Sequence, residues 1–224
     1  MFVGHYSASL AAKAIEPRAP LWTLVAGAQL LDIGWSVLVM GGVEKLRIDE
    51  SLPGSPFDLY DMPWTHSLPA AILWSLAALA LARWLLKLPM RAAVIIGLVV
   101  FSHWALDFLV HRQDLLLWFG GEKVGLGWWN YPVPEQALEI GLLGLAGMAW
   151  AWTRARDRMG LFAALTFFAA LVVLQIVVMF LPPNENTFQI GMNALAVYLV
   201  FAGLAWVVDR GAPVAKAAKG RRRR

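Results

Sequence analysis

The chain has 224 residues, of which 59% are hydrophobic and 15% charged, with 12 tryptophans, 19 glycines and no cysteine. A soluble domain carries roughly 45–50% apolar and about 25% charged residues, so this composition excludes a disordered chain and points to a membrane protein. Without cysteine, disulfides and thiolate metal sites are excluded, and any metal must be held by His, Asp or Glu. The formal charge of +4 is concentrated at the C-terminus, in Lys216, Lys219 and the four arginines at 221–224.

Residues 1–15 are too short to span a bilayer. Met1, Phe2, Val3, Leu10 and Ile15 are apolar, whereas His5, Ser7, Ser9 and Lys13 are not. His5, Lys13 and Glu16 interrupt the apolar run, so the segment does not read as a cleaved signal peptide. Two readings stay open: an amphipathic helix on the inner membrane surface, or a re-entrant half-helix buried in the bundle.

Six stretches then read as transmembrane helices, at about 20–42, 67–86, 92–110, 134–153, 160–181 and 190–208. Each is long enough, at 1.5 Å per residue, to cross a hydrocarbon core of about 30 Å. Turn residues separate them: Pro53, Gly54 and Pro56, then Pro89, then Pro132 and Pro134, then Pro182, Pro183 and Asn184. The expected fold is therefore all-α, a polytopic helix bundle forming one domain over 1–210, followed by a basic, disordered tail at 211–224.

With both termini in the cytoplasm, 15 of the 19 Lys and Arg residues fall on the inner side. Lys45, Arg47, Arg112 and Lys123 fall outside. That asymmetry fits the positive-inside rule and a bacterial inner membrane. Trp22, Trp84, Trp150, Trp152 and Trp206 then lie near the inner interface, and Trp64, Trp118, Trp128 and Trp129 near the outer one. Next to a span, the basic tail reads as a contact for membrane lipids and not for nucleic acid.

Few ionisable groups fall inside the spans: Asp32 in the first, His103 and Asp107 in the third, Glu135 and Glu139 in the fourth. A charged Asp near a helix centre costs about 2.5–3.5 kcal/mol on insertion scales, so such residues need partners and mark a functional site by default. His103, Asp107 and His111 are spaced i, i+4, i+8 and form one stripe, each group about 6 Å further outward. Imidazole and carboxylate on successive turns can chelate one cation or bridge two. Glu135 and Glu139 repeat the i, i+4 spacing, and His66 opens the second span. If residues 1–15 are re-entrant, His5 also reaches mid-membrane. All four histidines of the chain would then face one cavity in the outer half of the bilayer. Simpler readings exist for each residue: His103 and Asp107 as a pair that pins helices, Asp32 paired with Gln29 or Ser36, His5, His66 and His111 merely solvated, and Glu135 favoured by the helix dipole of a first turn.

The chain resembles the bacterial membrane-bound metal-dependent hydrolases of the YdjM type. The resemblance rests on Gly4-His5, Leu31-Asp32, Thr65-His66-Ser67 and Ser102-His103 with Asp107, in matching order across residues 1–111. Where that family often has Pro-Asp-x-Asp, this chain has Leu31-Asp32-Ile33-Gly34. The family is in turn similar to zinc-dependent phospholipase C. The resemblance implies that His5, Asp32, His66, His103 and Asp107 are metal ligands, with Asp107 able to bridge two ions. His111 is added to that set from its place on the stripe.

The expected function is a membrane-embedded hydrolase using a divalent metal, zinc by preference. It would act on an ester or phosphoester of a lipid-like substrate, with Glu135 or Glu139 as general base. The alternative is a small ion-coupled transporter, acting as a homodimer, in which the intramembrane Asp and His form a relay.

Overall fold

The computed structural model describes residues 1–181 and 184–210, and the expected basic tail at 211–224 lies outside the described residues. A 3-10 turn (Val3–His5) leads into α1 (Tyr6–Ile15), followed by α2 (Leu21–Ala28) and α3 (Leu30–Met40). A hairpin of β1 (Lys45–Ile48) and β2 (Phe57–Asp61) precedes α4 (Leu68–Ala80), which continues as one π-helical turn (Leu81–Leu85). Then come α5 (Met90–Val110), the short strands β3 (Leu115–Leu116) and β4 (Lys123–Val124), α6 (Pro132–Arg154), α7 (Arg158–Phe180) and α8 (Thr187–Arg210). Both sheets are two-stranded and antiparallel. The fold is an all-α membrane bundle, as its apolar periodicity requires.

Four helices among the described residues are long and apolar enough to cross a membrane: α4 with its π turn, α5, α7 and α8. The bent pair α2 and α3 makes a fifth. The sixth expected span, α6, has 23 residues, about 34 Å of helix. Its apolar character is diluted by Glu135, Gln136, Glu139 and Arg154. Large apolar side chains stay exposed on the outer faces, among them Leu73, Leu98, Leu145, Phe162 and Val200. Such an apolar exterior is what a lipid solvent accepts and water does not.

Two departures from the simple six-span reading position the site. The N-terminal segment is not a surface helix: Val3, Gly4, His5, Tyr6, Ser7, Ser9, Leu10, Ala12 and Lys13 are all buried. It packs between α2, α5 and α6. Glu139 fixes its start, accepting the backbone N–H of Phe2 at 2.8 Å and of Gly4 at 3.0 Å. At its other end the Lys13 ammonium lies 2.8 Å from Asp209 of α8 and donates to the carbonyl of Ala19. The same Asp209 accepts the N–H of Leu21, at the start of α2.

The second departure is a 52° bend between α2 and α3, centred on Gln29. The side chain of Gln29 donates to the carbonyl of Phe2. The bend leaves the Ala28 carbonyl at the end of α2 available to a partner outside its own helix. Beyond the bend, α3 comes close to the start of α4. A Cβ at Gly34 would meet Thr65 Cγ2 at 3.2 Å and the Trp74 ring at 3.3 Å. A side chain at position 34, as in the Pro-Asp-x-Asp pattern, would require Thr65 and Trp74 to give by a few tenths of an ångström.

One end of the bundle is capped by the hairpin and the 111–131 loop. Arg112 staples them together, donating to Pro53 O at 2.7 Å, Ser55 O at 2.9 Å and Asn130 Oδ1 at 2.9 Å. The chain then crosses the end of α5, where Leu126 N–H and Gly127 N–H donate to the carbonyls of Phe108 and His111. Gly125, at φ +152°, permits that crossing, since a Cβ there would collide with the carbonyls of Arg112 and His111.

Candidate metal centre

Six of the residues singled out from sequence meet at one buried point. α5 contributes His103 and Asp107, and His111 caps its end. α3 brings Asp32 from its first turn. His66 stands just before α4, and His5 ends the N-terminal 3-10 turn. Five of the six are at most 3% exposed; Asp32 is 15% exposed.

Asp107 is the hub. Its Oδ1 lies 3.1 Å from His5 Nε2, 3.3 Å from His111 Nε2 and 3.1 Å from the Met1 amino group. Its Oδ2 lies 3.1 Å from His103 Nε2 and 3.6 Å from His66 Nε2. Asp32 Oδ1 adds contacts of 3.3 Å to His66 Nε2 and 3.5 Å to His103 Nε2. Two overlapping groups result, His5 with His103 and Asp107, and Asp32 with His66 and His103. In each, the ligand atoms all lie within 4.8 Å of one another. The His5 and His103 rings are stacked, 3.7 Å apart and 8° from parallel.

The far nitrogens of three imidazoles show how these rings are set. His103 Nδ1 lies 2.7 Å from the carbonyl of Ala28, the group available at the α2–α3 bend. A carbonyl only accepts, so Nδ1 carries the proton. His111 Nδ1 lies 2.9 Å from the Asp114 carboxylate. His66 Nδ1 lies 2.7 Å from Thr65 Oγ1. That hydroxyl donates at 2.7 Å to Glu44, whose other oxygen accepts the N–H groups of Trp64 and Thr65. The chain Glu44, Thr65, His66 therefore also places the proton on Nδ1. Held this way, the three imidazoles turn Nε2 toward the two carboxylates. Imidazole nitrogens and carboxylate oxygens 3.1–3.6 Å apart are held together by positive charge, carried either by protons on Nε2 or by a metal ion that both groups ligate. His5 Nε2, His103 Nε2 and Asp107 Oδ2 have no hydrogen-bond partner among the described residues, as expected for atoms aimed at a shared ion. The donor set, imidazole nitrogen plus carboxylate with the second nitrogen fixed by an acceptor, fits a divalent transition metal.

Glu135 and Glu139 stand beside this centre, with the Met1–His5 turn between. Both oxygens of Glu139 hold backbone N–H groups of that turn. Glu135 is buried and accepts from Gln136, which is joined at 2.6 Å to Gln175 of α7. Sequence reasoning missed three contributors: Glu44, Asp114 and Tyr198. Tyr198 of α8 donates to Asp32 Oδ2 at 2.8 Å. Glu44 and Tyr198 are far from the histidines in the chain, so no spacing rule connects them; Asp114 stands three residues after His111, a spacing that could have suggested the pair.

Residues 1–183 match the YdjM inner membrane protein family. The chain belongs to that family. The resemblance carried by Gly4-His5, Asp32, Thr65-His66 and His103 with Asp107 thus extends over most of the chain. Every ligand candidate lies within the matched YdjM region, whereas α8 (Thr187–Arg210) lies beyond it. Neither a curated protein nor a solved structure matches the chain.

Proposed function

We propose that this YdjM family member is a membrane-embedded, metal-dependent hydrolase. Its substrate is an amphiphilic ester or phosphoester, a lipid or a lipid-like molecule. The observation that carries the proposal is the orientation of His66, His103 and His111, each with Nδ1–H turned outward to an acceptor and Nε2 turned inward. A divalent cation, zinc by preference, supplies Lewis-acid polarisation of the scissile group and activation of water. His5, Asp32, His66, His103, Asp107 and His111 form the set from which its ligands are drawn. An Nε2 has one lone pair, so His103 serves a single cation. Asp107, with separate oxygens facing separate histidines, would be the ligand shared by both residue groups if two cations were held. Glu139 is committed to backbone N–H groups, which leaves Glu135 as the better placed general base.

Along α5 the polar groups are confined to the outward part from His103 to His111, which favours a reaction centre over a conduction path along that helix. On the other side of His103, α5 buries only Ala92, Ala93, Ile96, Gly97, Val99 and Val100. A relay needs polar groups along its length, and that stretch has none. With both termini in the cytoplasm the centre lies in the outer half of an inner membrane, within reach of lipid headgroups.

The test is metal content per chain on detergent-purified protein, with hydrolysis of lipid phosphate esters measured with and without chelator. One or two equivalents of a transition metal, with chelator-sensitive hydrolysis, is the expected result. A wild-type protein that retains no metal after reconstitution overturns the proposal and turns attention to proton-coupled transport.

A further inference from the structure

Asp32 differs from Asp107 in how its two oxygens are used. Oδ1 faces His66 and His103, while Oδ2 accepts the hydroxyl of Tyr198 at 2.8 Å. Tyr198 is 4% exposed, and its ring packs on Phe2 at 6.0 Å. A carboxylate free to rotate can offer a cation either oxygen or both. A hydroxyl donated to one oxygen from a fixed position removes that freedom and leaves the other turned to the imidazoles.

The fold holds Tyr198 in place from both ends of α8. Seven residues earlier, Gly191 lets α8 lie directly on α3, for a Cβ there would come within 2.8 Å of the Ser36 carbonyl. Eleven residues later, Asp209 is tied to Lys13 and to the N–H of Leu21. Three residues after Tyr198, the Phe201 ring packs on Tyr6 at 5.9 Å.

We propose that Tyr198 is a positioning residue of the metal centre, which fixes Asp32 as a single-oxygen ligand. α8, although outside the family-matched region, is then an integral part of the site. This inference rests on the metal reading above.

The test is zinc titration of the full-length protein in detergent, comparing wild type, Tyr198→Phe and Phe201→Leu, with melting temperature measured on each. Tyr198→Phe removes one oxygen and keeps the ring, so its helices should stay packed. We expect zinc binding to weaken about 10- to 100-fold, the range for loss of a group that orients a ligand, with Phe201→Leu close to wild type. Tight zinc binding by wild type and by Tyr198→Phe alike overturns the role of Tyr198 and leaves the metal reading standing. So does a lower melting temperature with unchanged affinity, because that is packing alone. A wild type that binds no zinc overturns the metal reading, and this inference with it.

Discussion

Two buried sets of ionisable residues share the i, i+4 spacing, His103 with Asp107 on α5 and Glu135 with Glu139 on α6, yet they are built for different tasks. The α5 stripe, continued by Asp32, is met by four inward-facing imidazole nitrogens, with one further donor on each carboxylate, the Met1 amino group on Asp107 and the Tyr198 hydroxyl on Asp32. The pair on α6, Glu135 and Glu139, is met by donors: backbone N–H groups and the amide of Gln136. Several imidazole nitrogens converging on shared carboxylate oxygens form a ligand set for a cation, while backbone N–H groups directed at carboxylates only satisfy them. Spacing alone does not make a metal site. What decides is which groups face the carboxylates.

The largest effect that can break this comparison is at Asp107. Asp107→Ala removes the one residue that every histidine of the site faces, and it should abolish metal retention. Retention near one equivalent per chain, measured by elemental analysis, would show that the cation lies elsewhere. Next comes Thr65→Val, which keeps the shape of the side chain and cuts the chain from Glu44 to His66. Metal affinity should fall about 10- to 100-fold, and the melting temperature should fall as well, since Glu44 and His66 each lose a buried hydrogen-bond partner.

Glu139→Gln sharpens the contrast from the other side. An amide can accept only one of the two N–H groups and turns its own NH2 toward the other, at a cost of about 1–3 kcal/mol. The melting temperature should fall, and affinity should fall less than in Thr65→Val, because only His5 is disturbed. A Glu139→Gln protein that loses all metal would make Glu139 a ligand and erase the distinction.

The smallest effect lies outside the spans, at Glu16. Bidentate contact with the Arg18 guanidinium, with Arg91 at 3.2 Å, holds its carboxyl below the usual range. A depressed folded-state pKa contributes stability above the unfolded value of about 4.3, and that contribution is lost as pH falls through the folded value. The melting-temperature gap between wild type and Glu16→Gln should be full at pH 6 and close below pH 4. Affinity for metal should not follow it.

Much of the site was legible because helical geometry is local. His103, Asp107 and His111 declare a common stripe by spacing alone, and Asp32 is conspicuous as a charge in an apolar stretch. His5 required a guess, since a polar residue near a chain start carries no periodic signal; its burial depends on Glu139, 134 residues away. Tyr198 gave no signal either, because a lone tyrosine in an apolar helix reads as an ordinary amphipathic side chain. The hairpin at 45–61 was legible only as a turn around Pro53, Gly54 and Pro56.

The sequence by itself determined the solvent and the elements: long apolar stretches can only be membrane helices, and their punctuation sets where they end. It also determined which residues were too costly to bury without a purpose. Tertiary structure alone decided that the first 15 residues enter the bundle, that the first span bends at Gln29, and which nitrogen of three imidazoles faces an outer hydrogen-bond partner. Those outcomes depend on partners distant in the chain: Glu139 for the N-terminal turn, the Ala28 carbonyl for His103, Glu44 through Thr65 for His66. Hydropathy and helical period act over one or two turns. Hydrogen-bond direction at a buried site is settled only when the folded chain brings acceptors such as the Ala28 carbonyl, Glu44 and Asp114 against the outer nitrogens of the imidazoles.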